Sequence, residues 1–254
     1  MRTLAVIPAR LGATRLPRKP LRLLAGLPLV VRVWQRVTDI GVADRCVVAT
    51  DSEEVADAAS SHGADVVMTS LQHPSGTHRV SEVVQRAEYA GFDVIVNVQG
   101  DEPFVSRRAV VGAARMVTEA AFPLGTAAVI ASPRVLGDPS VVKVVTADDG
   151  RAMYFSRAPI PRLRDADDAE LQRAHVWQHI GVYAYERGAL LRWIGLPENP
   201  LERIERLEQL RPLAAGIPIG VALVDEPVRP GIDTEEDLER ANRDWTTFTS
   251  PTIG

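Results

Sequence analysis

The chain has 254 residues, 46% of them hydrophobic and 24% charged, and a formal net charge of -4 at pH 7. This length and composition are ordinary for a globular protein with a sizeable core. The negative charge argues against a nucleic-acid polymer as partner, because such a partner requires a basic surface. One cysteine, Cys46, excludes a disulfide within the chain. No segment reaches the roughly 18 apolar residues of a membrane span, so we expect a cytoplasmic protein with no membrane contact.

Short apolar segments alternate with helical patterns through the first 120 residues. Strands are predicted at residues 3–7, 46–49, 66–68 and 94–98, and helices at 28–40, 52–62, 77–90 and 107–120. Strands that are apolar throughout and separated by helices indicate a parallel sheet covered on both faces. The predicted fold class is therefore α/β, with a doubly wound, mostly parallel sheet.

The pattern changes after about residue 125. Strand-like segments follow at 126–131, 141–146, 152–156 and 180–185, and Asp148-Asp149-Gly150 has the composition of a tight hairpin turn. Residues 162–174 are polar and predict an exposed excursion. Helical patterns return at 187–194 and 201–210, a strand follows at 217–224, and a last helix is predicted at 235–245. We interpret residues 1–254 as a single domain with a mixed-β insertion at about 132–185.

A cationic loop follows the first predicted strand. It carries Arg10, Arg15 and Lys19, with Gly12 among them. The loop matches neither the Walker A pattern nor Gly-x-Gly-x-x-Gly, which disfavours ATPases and nicotinamide enzymes. Such a run can simply be solvated. Its place at the carboxyl end of a buried strand favours a role in anchoring phosphate oxygens, because parallel sheets bind ligands at that edge.

Two acids follow the strand predicted at 94–98. The segment after that strand reads Gln99-Gly100-Asp101-Glu102-Pro103. An acid before a proline is a common turn device, which is the alternative explanation. The preceding amide and glycine favour a functional role. We expect Asp101 to bind the magnesium ion of a nucleoside triphosphate whose phosphates lie on the cationic loop.

Several other side chains have both a structural and a functional interpretation. Ser75-Gly76 precedes a predicted helix and can cap it or face a nucleobase or phosphate. His179 and Tyr183 are expected on one face of a strand, and His179 can also be a structural histidine. Asp233 can belong to the cap of the last helix, made by Thr234 and Asp237. Glu208-Gln209 lies near the predicted apolar stripe of residues 201, 204 and 207, where an acid such as Glu208 is usually solvated.

Taken in order, these stretches resemble the 3-deoxy-manno-octulosonate (Kdo) cytidylyltransferases, or CMP-Kdo synthetases. The resemblance covers nearly the whole chain and includes Asn-Val-Gln-Gly-Asp-Glu-Pro at 97–103. The other matching segments are residues 7–10, 14–17, 19–21, 49–51, 75–77 with Arg79, 142–144, 154–161, 179–181, 201–202, 207–211 and 231–234. Each motif alone is moderately specific, whereas the ordered set is highly specific.

The resemblance implies a Rossmann-like nucleotidyltransferase that uses Mg²⁺. Its reaction would transfer CMP from CTP to the anomeric hydroxyl of Kdo, giving CMP-Kdo and pyrophosphate for lipopolysaccharide biosynthesis. The resemblance also implies a homodimer that pairs through the mixed-β insertion. No covalent intermediate is needed, because in-line attack on the α-phosphorus depends on positioning and charge neutralisation.

The resemblance also implies a role for each site residue. The predicted catalytic residues are Arg10, Arg15, Lys19 and Asp101, of which the three cations would hold the triphosphate. The remaining predicted nucleotide-binding residues are Pro8, Ala9, Ser75, Gly76, Arg79 and Gln99. Magnesium would bind Asp101 and Asp233. The predicted sugar-binding residues are Gln99, Arg157, His179, Tyr183, Glu208 and Gln209, with Arg157 as the partner of the sugar carboxylate.

Three positions depart from the family pattern. Arg18 stands where glycine is common, His78 where aspartate is common, and Arg162 where an aromatic residue is common. Two alternatives to a Kdo enzyme are open: a cytidylyltransferase for a related sugar acid, such as 8-amino-Kdo or a sialic-acid-like sugar, and a non-catalytic sugar-nucleotide sensor. Retention of Asp101, Asp233 and Lys19 together argues against the sensor, since binding alone does not require both metal carboxylates.

Overall fold

The computed structural model describes residues 1–12, 15–229 and 231–249. The chain divides into two compact units. The first unit comprises residues 1–107 and 229–254, and the second comprises residues 108–228. The predicted insertion, residues 132–185, lies inside the second unit, whose bounds are wider; the single-domain interpretation stays a prediction. No helix among the described residues combines the length and the apolar character needed to cross a bilayer.

The first unit opens with alternating strands and helices. Its elements are β1 (Thr3–Ala9), a 3-10 turn (Lys19–Leu21), β2 (Leu23–Leu24), β3 (Leu27–Pro28), α1 (Leu29–Ile40), β4 (Arg45–Thr50), α2 (Glu53–Ser60), β5 (Asp65–Met68), α3 (Gly76–Gln85), a 3-10 turn (Ala87–Tyr89) and β6 (Val94–Asn97). Ser52 caps α2 by accepting a hydrogen bond from the Val55 amide, and Gly41 ends α1 in the left-handed conformation. The helix predicted at 77–90 is shorter than expected, because the extended backbone of Arg86 ends α3.

The sheet of the first unit is parallel, as predicted. Its strand order is β6-β1-β4-β5, and Ile7, Val48 and Val96 in it are fully buried. The chain runs from β1 to β4 and β5 on one side and then crosses to β6 on the other side. The loops after β1 and β6 therefore flank the point where the strand order reverses. Open α/β sheets form their binding crevices at this point.

The second unit contains a mixed sheet. Its elements are α4 (Arg107–Thr118, which begins at the boundary), β7 (Leu124–Ile130), β8 (Lys143–Thr146), β9 (Ala152–Ser156), a 3-10 turn (Ala166–Asp168), α5 (Ala169–His175), β10 (Trp177–Glu186), α6 (Arg187–Ile194), α7 (Pro200–Glu205), α8 (Leu210–Ala214) and β11 (Ile219–Val224). β7 pairs antiparallel with β10 and parallel with β11, and β8 pairs antiparallel with β9 and β10. Gly150, with a φ of 81°, lies in the predicted turn between β8 and β9.

Two sequence predictions in the second unit are wrong. The single helix expected at 201–210 is divided into α7 and α8, because Arg206 adopts a left-handed backbone with a φ of 55°. The buried apolar stripe predicted on this helix is also wrong: Leu207 is buried, whereas Leu201 is 41% exposed and Ile204 is 77% exposed. The excursion at 162–174 is mostly exposed, as predicted, but it contains a 3-10 turn and all of α5 except its last residue.

The chain then returns to the first unit with α9 (Glu235–Arg243) and α10 (Trp245–Thr249). Thr234 and Asp237 form the predicted capping box at the start of α9, each side chain bonding to the backbone amide of the other residue. This cap fixes the backbone immediately after Asp233. It therefore helps to place the Asp233 carboxylate.

Candidate functional site

The ammonium group of Lys19 lies between two carboxylates. Its Nζ is 2.6 Å from Asp101 Oδ2 and 2.7 Å from Asp233 Oδ1. Lys19 begins the turn before β2, Asp101 follows the end of β6, and Asp233 precedes α9. The Lys19 side chain is 13% exposed, whereas the two aspartates are 32% and 42% exposed. The structure therefore joins the cationic loop, the acidic strand end and the predicted second metal carboxylate in one cluster.

The other cations of the loop are more open to solvent. Arg15 Nη2 lies 3.1 Å from Asp233 Oδ2, and its side chain is 69% exposed. Arg10 follows β1 directly and is exposed. Arg18 forms an exposed ion pair with Glu54. Ala13 and Thr14, in the middle of the loop, lie outside the described residues.

Charge is strongly coupled in this cluster. Burial alone would lower the pKa of Lys19, but Asp101 and Asp233 together raise it above its usual value. The carboxyl group of Glu102 is also affected. Loss of solvation, and then the negative charges of Asp101 and Asp233, disfavour its ionised form and raise its pKa to about 8. Glu102 therefore carries a proton at pH 7, and Lys19 carries its positive charge.

The backbone brings the two acidic segments together. The Ile232 amide donates to the Asp101 carbonyl at 2.9 Å. A Cβ at Gly231 would lie 2.8 Å from Glu102 Oε1, so a larger residue there would collide with the carboxyl group. This close approach places Asp233 beside the end of β6.

The predicted nucleotide side forms a second close approach. A Cβ at Gly76 would lie 3.2 Å from the Pro8 ring and 3.4 Å from Gln99 Oε1, and a Cβ at Gly100 would lie 2.7 Å from the Pro8 carbonyl oxygen. Glycine at position 100 therefore lets the ends of β1 and β6 meet. Ala9, Gly76 and Gln99 lie at this junction, and their contact with a nucleotide stays a prediction.

Ser75 and Arg79 have partners of their own. Ser75 caps α3, and its Oγ lies 2.9 Å from Nδ1 of His78, the residue that replaces the common aspartate. Arg79 is 3% exposed; its guanidinium donates to Asp51 at 2.6 Å and also to Thr69. A contact between Arg79 and nucleotide stays a prediction. The observed bonds make Arg79 a support for the segments after β4 and β5.

His179 lies in a hydrogen-bonded aromatic cluster of the second unit. Its Nε2 is 3.0 Å from Thr126 Oγ1, and its ring centroid is 5.1 Å from Phe155 and 5.4 Å from Tyr183. Loss of solvation lowers the pKa of His179 to about 3. The imidazole is therefore neutral at physiological pH, and its place near Tyr183 agrees with the prediction.

Tyr183 extends this cluster towards the turn after α7. It stacks on Tyr185 at 5.9 Å, and burial, then the charges of Tyr185 and Glu208, raise its pKa well above the usual value. Gln209 is 6% exposed and precedes α8. The structure thus brings His179, Tyr183 and Glu208 into one neighbourhood.

The guanidinium group of Arg157 is hydrogen-bonded to other segments of the second unit. Its Nε donates to the Glu205 carbonyl at 2.8 Å, and its Nη1 donates to the Pro139 carbonyl at 2.9 Å. The Arg157 guanidinium is therefore held by the last residue of α7 and by the segment that precedes β8.

Comparison with known proteins identifies the family. The Cytidylyltransferase family model matches residues 4–219. The 3-deoxy-manno-octulosonate cytidylyltransferase of Gemmatimonas aurantiaca is 63% identical over 245 residues, covering 96% of this chain and 95% of the relative. The protein of the same name from Leptothrix cholodnii is 47% identical, covering 94% of this chain and 89% of the relative. The chain belongs to the 3-deoxy-manno-octulosonate cytidylyltransferase family.

Structural comparison agrees with this assignment. A solved structure of CMP:2-keto-3-deoxy-manno-octonic acid synthetase complexed with CTP has a TM-score of 0.90 and 37% identity, covering 97% of this chain and 99% of that chain. The predicted fold class and the family resemblance are confirmed. The chain is thus a cytidylyltransferase, a kind of nucleotidyltransferase.

Some residues that organise the cytidylyltransferase site were not found from sequence. Thr126 as the partner of His179, Asp51 as the partner of Arg79, and Glu205 beside Arg157 are all distant in sequence from the groups that they hold. Asp51 was noted only as part of the matching segment 49–51. The raised pKa of Glu102 also has no sequence signal, because it depends first on the burial of the carboxyl group in the folded chain and then on the charges of Asp101 and Asp233.

Proposed function

We propose that this protein transfers CMP from CTP to Kdo, forming CMP-Kdo and pyrophosphate, a step of lipopolysaccharide biosynthesis. Its family membership supports the reaction class. The observation that carries the proposal is the convergence of Lys19 with Asp101 and Asp233 at the point where the strand order reverses. Cations for the triphosphate and carboxylates for its metal are the groups that nucleotidyl transfer needs at one place.

The cationic loop would bind the triphosphate. Lys19 and Arg15 now interact with carboxylates, so binding CTP would exchange those partners for phosphate oxygens. Arg10 adds a third positive charge after β1. These cations would hold the leaving pyrophosphate and stabilise the charge that develops on it.

The residues present fit a magnesium ion. Among the described residues, no group of three or more His, Cys, Asp and Glu side chains could hold a metal alone. Asp101 and Asp233 nevertheless supply carboxylate oxygens around one cationic position, and Mg²⁺ commonly binds through one or two carboxylates together with substrate phosphates. When bound, Mg²⁺ would neutralise charge on the phosphates and polarise the phosphorus–oxygen bonds. The two carboxylates would hold it beside the cationic loop.

The remaining predicted residues would bind cytidine and the sugar acid. Pro8, Ala9, Ser75, Gly76 and Gln99 line the junction of β1, β6 and α3, where we place cytidine, with Arg79 supporting the adjacent segments. His179, Tyr183, Glu208, Gln209 and Arg157 would contact Kdo, together with Gln99. A neutral His179 can accept or donate a hydrogen bond to a sugar hydroxyl without repelling Lys or Arg side chains.

Pyrophosphate release from CTP tests this proposal. We expect release with Mg²⁺ and Kdo and none without a sugar acid. Parallel reactions with 8-amino-Kdo and a sialic acid determine the acceptor. Binding of CTP with no pyrophosphate from any of these acceptors would contradict an enzyme and indicate a sugar-nucleotide sensor.

We also propose a cytoplasmic homodimer that pairs through the region of residues 132–185. The single, half-buried Cys46 supports a reducing compartment, and the dimer rests on the family resemblance. Sedimentation equilibrium measures the dimer: a mass of one chain at micromolar concentration would contradict it.

A further inference from the structure

The guanidinium group of Arg157 is anchored by uncharged acceptors. Nε donates to the Glu205 carbonyl at 2.8 Å, and Nη1 donates to the carbonyls of Pro139 at 2.9 Å and Ser140 at 3.4 Å. The other terminal nitrogen, Nη2, takes part in none of these bonds. The planar group is therefore oriented on one edge by backbone dipoles.

Two other arginines with little exposed surface, Arg79 and Arg211, are anchored by carboxylates, whereas Arg32 resembles Arg157 in donating to backbone carbonyls. Arg79 donates to the Asp51 carboxylate at 2.6 Å, and Arg211 donates to both oxygens of Glu202 at 2.7 Å and 2.6 Å. A carboxylate partner neutralises a guanidinium and occupies the sites that a second carboxylate would use. Arg157, held by carbonyl groups, retains its charge for an incoming anion.

Glu205 organises this arrangement through three contacts. Its Oε2 accepts a hydrogen bond from the Arg157 amide at 2.9 Å, and its Oε1 accepts one from Ser156 Oγ at 2.6 Å. Its own backbone carbonyl is the acceptor for Arg157 Nε. The carboxylate thus binds the backbone at Arg157, and only the carbonyl touches the guanidinium.

Neighbouring residues hold both Glu205 and the backbone of Arg157 in place. Glu205 is the last residue of α7, and the left-handed Arg206 after it turns the chain away. On the other side of Arg157, Lys143 is fully buried and donates to the carbonyls of Asp138, Val141 and Arg157 at 2.9, 2.7 and 2.5 Å. The backbone of Arg157 is therefore held from both sides, by an acid at its amide and by a lysine at its carbonyl.

We propose that Glu205 is a positioning residue for substrate binding: it sets the Arg157 guanidinium so that its outer edge receives the carboxylate of the sugar acid. The inference rests on the proposed function, in which Arg157 binds that carboxylate. Glu205 does not touch the substrate. Its carboxylate fixes the Arg157 backbone, and its carbonyl fixes the plane of the guanidinium.

The variant Glu205→Gln tests this role. Gln keeps the length of the side chain but removes its charge, and it replaces one of the two acceptor oxygens that bond to Ser156 Oγ and the Arg157 amide with an NH₂ group. We expect the KM for Kdo to rise about tenfold, the size of one lost charge-assisted hydrogen bond. The KM for CTP should stay at the wild-type value.

The matched control is Glu198→Gln. Glu198 lies just before α7 and forms an exposed ion pair with Arg203 at 3.5 Å, so both KM values should stay unchanged. A merely structural role of Glu205 would raise both KM values together, and that result overturns the inference. An unchanged KM for Kdo in Glu205→Gln also overturns it.

The variant Arg157→Ala distinguishes the role of Arg157 in binding Kdo from the positioning role of Glu205. We expect it to raise the KM for Kdo, and Glu205→Gln added to it should have no further effect because both act through the same group. If Arg157→Ala leaves the KM for Kdo unchanged, the assignment of Arg157 in the proposed function is wrong. If it raises that KM and Glu205→Gln does not, only the positioning role is wrong.

A second variant tests the same positioning role if Glu205→Gln does not fold. Ser156→Ala removes one of the two donors to the Glu205 carboxylate. We expect a rise of about threefold in the KM for Kdo at an unchanged KM for CTP, since the Arg157 amide remains bonded. Equal KM values in Ser156→Ala and the wild type would overturn the inference.

Discussion

The two units hold their candidate site residues by different physical means. In the first unit, Lys19, Asp101 and Asp233 are charged groups in contact with one another, and the two acids are about one-third exposed or more. In the second unit, His179 is hydrogen-bonded to Thr126, His179 and Tyr183 pack against aromatic rings, and the imidazole is neutral. The first arrangement can exchange its partners for phosphate and metal. The second is set before any substrate arrives.

The difference has a consequence for mutagenesis. Exposed ion pairs contribute little to stability, whereas buried hydrogen-bonded groups contribute more. Substitutions in the charged cluster should therefore reduce catalysis and leave folding intact. Substitutions in the aromatic cluster should change stability and its pH dependence as well.

The largest expected effect comes from Asp101→Asn. Loss of one carboxylate removes a proposed metal ligand and half of the negative charge around Lys19, so we expect kcat to fall by at least about 100-fold. The variant should fold, because the side chain lies at the surface of the site. Steady-state kinetics and thermal unfolding measure both. Asp57→Asn, on the exposed face of α2, is the control and should match the wild type; unfolding of Asp101→Asn, or full activity, would count against the assignment.

The charged cluster could be predicted only in part from the sequence. Apolar strands followed by Arg10, Lys19 or Asp101 are visible as local patterns, and the rule for parallel sheets places their ends at one edge. The contacts of Lys19 with Asp101 and Asp233 span 82 and 214 residues, and no spacing rule predicts such distances. Family resemblance supplied the assignment of Asp233 to the metal.

Predictions in the second unit were limited by backbone and packing detail. The apolar residues at 201, 204 and 207 have helical spacing, but the left-handed Arg206 breaks the helix and leaves Ile204 exposed. A non-glycine residue in that conformation has no sequence signature. The lowered pKa of His179 depends on Phe155 and Tyr183 around it, which only the folded chain brings together.

A medium effect is expected for His179→Gln, in the pH dependence of stability. The folded-state pKa of His179 is about 3, below the ordinary value of 6.5, so between these pH values the unfolded chain binds a proton that the folded chain does not. Stability from this group is therefore complete above pH 6.5 and is lost as pH falls. Its share is about 1 kcal/mol per pH unit.

Urea unfolding at pH 6 and pH 4 measures this share. The loss of unfolding free energy between the two values should be smaller in His179→Gln than in the wild type by about 2 kcal/mol. Gln can still bond to Thr126 but does not titrate. His175→Gln, in the exposed part of α5, is the control. An equal pH dependence in the wild type and His179→Gln would show that the imidazole is not held neutral.

The smallest effect is expected for Arg18→Gly. Arg18 has a φ of 57°, a conformation that glycine adopts without strain, and its ion pair with Glu54 is more than half exposed on both sides. We expect the midpoint of thermal unfolding to rise by about 2 °C. A lower midpoint would show that the pair with Glu54 contributes more than the backbone strain costs. The site beside Lys19 would then depend on Arg18.

The most direct test is a crystal structure with CTP and magnesium bound. If the charged cluster is the catalytic site, Lys19 will have left the two aspartates for phosphate oxygens. Oxygens of Asp101 and Asp233 will lie about 2.0–2.2 Å from the metal, as Mg²⁺ requires. A structure in which nucleotide is bound while Lys19 keeps both aspartates, with the metal elsewhere, would contradict this account.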